Sequence, residues 1–119
     1  MIAVIFEVWP AQGRKDDYLS IAAALRDDLI KIDGFISVER FQSLTDPDKL
    51  LSLSFWRDEE AVKAWRTQAH HREGQALGRA GIFADYRLRI AATIRDYGMN
   101  ERDEAPQDSR AAHDAARTR

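Results

Sequence analysis

One short stretch of this chain gathers side chains suited to proton transfer beside a flat apolar wall: Trp65, His70, His71, Arg72 and Gln75, with Arg79 just beyond. An imidazole titrates near neutrality, so it can take the proton of a weakly acidic hydroxyl. A guanidinium beside it can hold the anion so formed, most strongly where water is excluded. On these grounds His71 is the candidate base or hydrogen-bond partner, Arg72 the candidate anion stabiliser and Trp65 the candidate pocket wall. On an ideal helix His71 lies about 120° around from Trp65, on the flank that also carries Gln75. Gln75 and the hydroxyls of Tyr18 and Tyr86 are candidate substrate contacts, because each tyrosine stands on the apolar side of its own predicted element. The competing readings are structural: Trp65 as a core residue, His71 as a surface imidazole, Arg72 on a solvated helix face, and the tyrosines as buried rings with satisfied hydroxyls.

Other chemistries are excluded or disfavoured. The chain has no cysteine, which removes thiolate catalysis, disulfides, cysteine-ligated zinc and iron–sulfur clusters. His70-His71-Arg72-Glu73 does not put metal ligands on one helical face, so no metal site is expected. The 18 basic and 20 acidic residues are interspersed and leave a net charge of −2, so nucleic acid is not an expected partner. No apolar run approaches the roughly 20 residues that cross a bilayer, so no membrane span is expected. Met1 to Trp9 is apolar but carries neither a basic leader nor a small-residue cleavage site, which gives a cytoplasmic expectation. Glu7 is a pointed case: a carboxylate amid Val4, Phe6, Val8 and Trp9 would be costly if buried alone, and Arg87 or Arg89 is its expected cross-strand partner.

The elements that must position these groups follow from periodicity. Ile2 to Trp9 is apolar on both faces, as a strand covered on both sides would be. Tyr18, Ile21, Ala22, Leu25, Leu29 and Ile32 recur at helical spacing, with Gly34 placed to end the helix. Phe35 to Ser43 and Lys49 to Trp56 read as strands joined by the turn Thr45-Asp46-Pro47-Asp48. Asp58 then opens a second helix, with Glu59 and Glu60 in its first turn and Ala61, Val62, Trp65 and Ala69 facing inward. Gly74, Gly78 and Gly81 predict a broken second half to that helix. Tyr86, Leu88, Ile90, Ala92 and Ile94 alternate with Arg87, Arg89, Ala91 and Thr93, which identifies a fourth strand between Asp85 and Arg95.

The order β-α-β-β-α-β predicts one α+β, ferredoxin-like domain over residues 1–97: a four-stranded antiparallel sheet with both helices on one face. Residues 98–119, rich in Asp, Glu, Arg and Ala, read as a polar and mobile tail with a helical tendency from Ser109 onward. The helix-free face of the sheet would carry Ala3, Ile5 and Trp9. An exposed patch of that kind predicts a homodimer in which two sheets cover one another.

The ordered set Glu7-Val8-Trp9-Pro10, Gly34-Phe35, Leu53-Ser54-Phe55-Trp56, Asp58-Glu59-Glu60-Ala61 with Trp65, and His71-Arg72 with Gln75, Gly78 and Arg79 resembles the antibiotic biosynthesis monooxygenase family over Ile2 to Tyr97. That resemblance implies a dimeric α/β barrel and oxygen chemistry without flavin or metal, on a small phenolic or quinol-type aromatic with O2. Its alternative is haem binding or haem degradation. In the haem-degrading branch an Asn on the first strand, a Trp on the second helix and a later axial His surround the porphyrin. Trp65 matches the Trp, whereas Gln75 stands near the axial position and the first strand offers Phe6 and Glu7. A third reading, independent of the resemblance, is a ligand-binding or assembly domain without chemistry, since this scaffold hosts many activities.

Overall fold

A computed structural model of the chain describes residues 1–68 and 81–114. Its strands are β1 (Ile2–Pro10), β2 (Phe35–Gln42), β3 (Leu50–Trp56) and β4 (Phe83–Ala92), and its first helix is α1 (Lys15–Leu29). A second helix, α2, occupies 59–68. The strands form one antiparallel sheet in the order β2-β3-β1-β4, so β1, apolar on both faces, lies between β3 and β4. This is the predicted ferredoxin-like α+β architecture.

Both helices lie on the same face, because Val4 of β1 packs with Leu29 of α1 and with Ala61 and Val62 of α2. The even-numbered residues of β1 look toward the helices. Ala3, Ile5 and Trp9 share the opposite face with Leu51, Leu53 and Phe55, their register partners or diagonal neighbours on β3. The core is split in two. One cluster holds Val4, Leu29, Trp56, Ala61 and Val62, and the other holds Val8, Tyr18, Ala22, Leu50 and Ile82.

Local chemistry accounts for the joints. The Oδ1 of Asp58 accepts the Ala61 backbone N–H at 2.9 Å, the predicted cap of α2. This bond, with Arg57 beside it, holds the Asp58 carboxyl below the usual carboxylate range. In the β2–β3 turn, Ser43 Oγ accepts from the Asp46 N–H and Asp46 Oδ1 from the Asp48 N–H, which closes the hairpin without a glycine.

Two elements differ from the sequence reading by two residues or more. Helix α1 stops at Leu29, where the Ile30 N–H still reaches the Arg26 carbonyl, and tight turns then lead through Lys31 and Ile32. Gly34 therefore does not end the helix. Its positive φ of 93° starts β2, its carbonyl accepts the Arg57 N–H at 2.7 Å, and a Cβ there would come within 2.7 Å of the Ala61 Cβ. Strand β4 begins at Phe83 rather than Asp85 and ends at Ala92, because its pairing with β1 runs to Pro10 through a bulge at Trp9/Pro10. Alternation alone does not reveal how far a partner strand extends.

After β4 the chain is organised locally. The Gly98 N–H donates to the Glu101 carbonyl, and Arg102 lies over the Tyr97 ring and donates to Ser109 Oγ at 2.7 Å. A helical turn α3 (Gln107–Ser109) follows Pro106 and runs into a π-helical turn at Arg110–Asp114. Ala105 is buried.

Candidate active site between the two cores

Registers fix what each residue meets. On the helix-facing side the sheet carries four cross-strand rows, and the outer ones are structural. Trp56, Ile2 and Ala92 form the row at one end, where Trp56 is fully buried, donates its Nε1–H to Ser54 Oγ at 2.9 Å, and meets Phe35 edge-on at 5.3 Å. Leu50, Val8 and Tyr86 form the row at the other end. Between the two cores runs Arg40–Ser52–Phe6–Leu88, one residue from each strand, about 14 Å across at the usual interstrand spacing. Arg40, Ser52 and Phe6 are only partly buried and Leu88 is 47% exposed. Its β4 neighbours on the same face, Ile90 and Tyr86, are 44% and 55% exposed.

This inner surface is apolar from Phe6 to Leu88, adjoins α1 at Arg40, and is not closed by the described residues. It has the character of a shallow trough for a flat, lipophilic molecule. Aromatic rings line one end: Phe6 lies 5.8 Å from Phe83 and 5.6 Å from Tyr86, Phe83 lies 6.0 Å from Tyr86, and Tyr18 meets Phe83 edge-on at 5.7 Å.

The residues expected from sequence fall into two groups. Tyr18 and Tyr86 are brought together around Phe83, on the side of the Val8 row. Trp65 is partly buried and stacks on Trp56 at 5.5 Å, on the side of the Ile2 row. The backbone rows beneath these two groups are about 20 Å apart along β1 by strand rise. Trp65 and the tyrosines thus stand at opposite ends of the inner face, with the Phe6 row between them. His71, Arg72 and Gln75 lie outside the described residues, as do Ala69 of the predicted inward face and Arg79.

Phe6, Leu88, Ser52 and Arg40 were not singled out from sequence. For Arg40 a signal exists: it shares the parity of Val38, so a charged residue occupies an inward position of β2. One Nη of Arg40 reaches the Ala22 carbonyl of α1 at 3.4 Å, and its Nε is buried with no hydrogen-bond partner among the described residues.

On the opposite face a linked set of charges centres on Glu7. Glu7 accepts from Arg89 and pairs with Lys49, and this contact, that with Lys49 foremost, holds its carboxyl below the usual range. Of the two expected arginines it is Arg89, diagonal to Glu7, that binds it, while Arg87 is directly opposite in register. Lys49 also lies over the Trp9 ring, whose Nε1–H donates to Asp46 at 3.0 Å and lowers that carboxyl in turn. These groups belong to the scaffold. Among the described residues no cluster of His, Asp or Glu could hold a metal ion.

The family model described as antibiotic biosynthesis monooxygenase matches residues 1–77. The chain belongs to the antibiotic biosynthesis monooxygenase family. The matched region includes β1 to β3, α1 and α2, and therefore Phe6, Arg40, Ser52 and Trp65 of the inner face. Over 101 residues the chain is 48% identical to a jasmonate monooxygenase of Pyricularia oryzae, an alignment that covers 85% of this chain and 47% of that protein. The chain thus spans about half the length of this curated relative. Among solved structures, a protein of Mycobacterium tuberculosis superposes with a TM-score of 0.69 at 17% identity, covering 82% of this chain and 98% of the other. A conserved protein of Methanosarcina mazei gives 0.67 at 19%, covering 77% and 91%. At such identities these two speak for the fold. No helix among the described residues is long and apolar enough to cross a membrane.

Proposed function

We propose that this domain is a monooxygenase that uses O2 to oxidise a small lipophilic molecule lying over the Phe6 row. The observation that carries the reading is the coincidence of family membership with the exposure of Tyr86, Leu88 and Ile90 on the helix-facing side of the edge strand β4.

For a phenolic or quinol-type substrate no flavin, metal or haem is required. His71 takes the acidic proton, and Arg72 holds the anion. The anion passes one electron to O2, the resulting radical pair joins to a carbon-bound peroxide, and loss of water leaves the carbonyl product. Trp65 forms a wall, while Tyr18, Gln75 and Tyr86 position the ring. The protein supplies a base, an oriented dry surface and a counter-charge, and the electrons come from the substrate. The working form is a homodimer, in which a second copy covers the far face at Ile5, Leu51, Leu53, Phe55 and the 41%-exposed Phe41.

Oxygen uptake in the presence of a chelator, with hydroxyanthrones, quinols and jasmonate offered in turn, tests the reading. Uptake tied to product formation with at least one class is expected, and His71→Ala should lower it at least tenfold. Jasmonate belongs in the panel because the 48%-identical relative is a jasmonate monooxygenase. Uptake that appears only after haem is added, with a Soret shift, would replace this reading with the haem-dependent one.

A further inference from the structure

Arg40 is held differently from Arg57 and Arg89. Among the described residues Arg89 meets Glu7, and Arg57 meets Asp33 and Asp58. Among the described residues Arg40 has no carboxylate within ion-pair distance, makes one long bond to a backbone carbonyl, and leaves its Nε buried without a partner. Desolvating a guanidinium donor and leaving it unpaired costs free energy, which a shift of the Arg40 side chain onto an acceptor supplied by a ligand would recover. Beside it in the same row stands the hydroxyl-bearing Ser52, and beyond Ser52 the row is apolar, Phe6 and then Leu88. The trough is therefore polar and cationic at its β2 end and apolar toward β4.

We propose that Arg40, with Ser52, is the carboxylate anchor of this trough, so that the domain selects a small lipophilic monocarboxylate. The anionic end sits on β2 against the guanidinium, which presents paired N–H donors to the two carboxylate oxygens. The hydrocarbon body lies over Phe6 and Leu88. This deepens the function proposed above and rests on its placement of substrate over the Phe6 row. It adds a specificity determinant distant in sequence from the His71-Arg72 cluster, and a substrate charge that a plain quinol lacks.

The test is a binding comparison with the full chain, followed by tryptophan fluorescence or calorimetry and requiring no turnover. Jasmonate and octanoate are each compared with their methyl esters, which keep the body and remove the charge. Wild-type protein should bind each acid about 10- to 100-fold more tightly than its ester, the range for one charge-assisted hydrogen-bonded contact. Arg40→Met should abolish that preference while leaving ester binding unchanged, and Arg40→Lys should restore part of it. Equal binding of acid and ester by the wild type overturns the proposal, as does failure of both acids to bind at millimolar concentration. A uniform loss of acid and ester binding in both variants also overturns it, since that is the signature of a merely structural arginine. Thermal melts of both variants separate these outcomes from misfolding. Discrimination without oxygen uptake on any substrate leaves the anchor standing and removes the monooxygenase reading, and uptake without discrimination does the reverse.

Discussion

Arg89 and Arg40 stand on the two edge strands of one sheet and face opposite sides of it. On the far side Arg89 finds Glu7, which Lys49 also holds, so acid and bases satisfy one another within the fold. On the helix side Arg40 finds a single backbone carbonyl at long range and a buried Nε without a partner among the described residues. The difference separates charge that shapes the scaffold from charge that the scaffold does not need. The same contrast runs through the inner face, where Trp56 and Val8 are fully buried in the outer rows while the Phe6 row stays partly open.

If the outer rows are structural, their loss should be severe. Trp56→Ala removes a fully buried indole together with its contacts to Phe35, Trp65 and Ser54, and should cost about 3–5 kcal/mol in chemical denaturation. Gly34→Ala attacks the joint that seats α2 on this wall, by forcing a side chain onto a φ of 93° and against the Ala61 Cβ. It should cost about 1–3 kcal/mol by the same measurement. A loss below half a unit in either would mean that the wall near Trp65 yields easily.

The far-face charges should register as a pH and salt effect. The folded Glu7 carboxyl is held below its ordinary value of 4.5, chiefly by Lys49, so its contribution to stability is present above that value. It is lost as pH falls through the lower folded value. Glu7→Gln should therefore lower the melting temperature at neutral pH, with a gap to wild type that narrows progressively as pH falls below 4.5 and shrinks in high salt. A gap that widens on acidification would reverse the assignment. The smallest effect belongs to Arg40→Met, which should leave stability within about 0.5 kcal/mol of wild type, because the fold loses one long hydrogen bond and a desolvated donor together. A cost matching that of Glu7→Gln would erase the distinction between the two arginines.

Much of this arrangement could be read from local pattern. Alternation in β1 and β4, the spacing from Tyr18 to Leu29 and the Asp58 cap each depend on residues within a few positions of one another, and periodicity reports such relations directly. The element order then led to the ferredoxin-like sheet, and the quoted motifs to the family. Gly34 was misassigned because a glycine after a helix pattern looks like a cap, whereas its positive φ and close approach to Ala61 serve the start of β2. The Trp65 and His71 region drew attention by composition, while Arg40 escaped it because a lone arginine on an exposed-looking edge strand is ordinary in any sequence.

The sequence by itself determined which residues alternate, where helices begin, and that β1 is apolar on both faces, since hydrophobic burial acts on every side chain according to its place in a local repeat. Only the tertiary structure decided which residues share a row. Strand register brought Tyr18 and Tyr86 to one end of the inner face and Trp65 to the other, gave Glu7 to Arg89 and Lys49, and left Arg40 at the end of the Phe6 row. The reason is physical: those meetings join positions far apart in the chain, and they exist only once pairing between strands has fixed the distance and direction of each side chain.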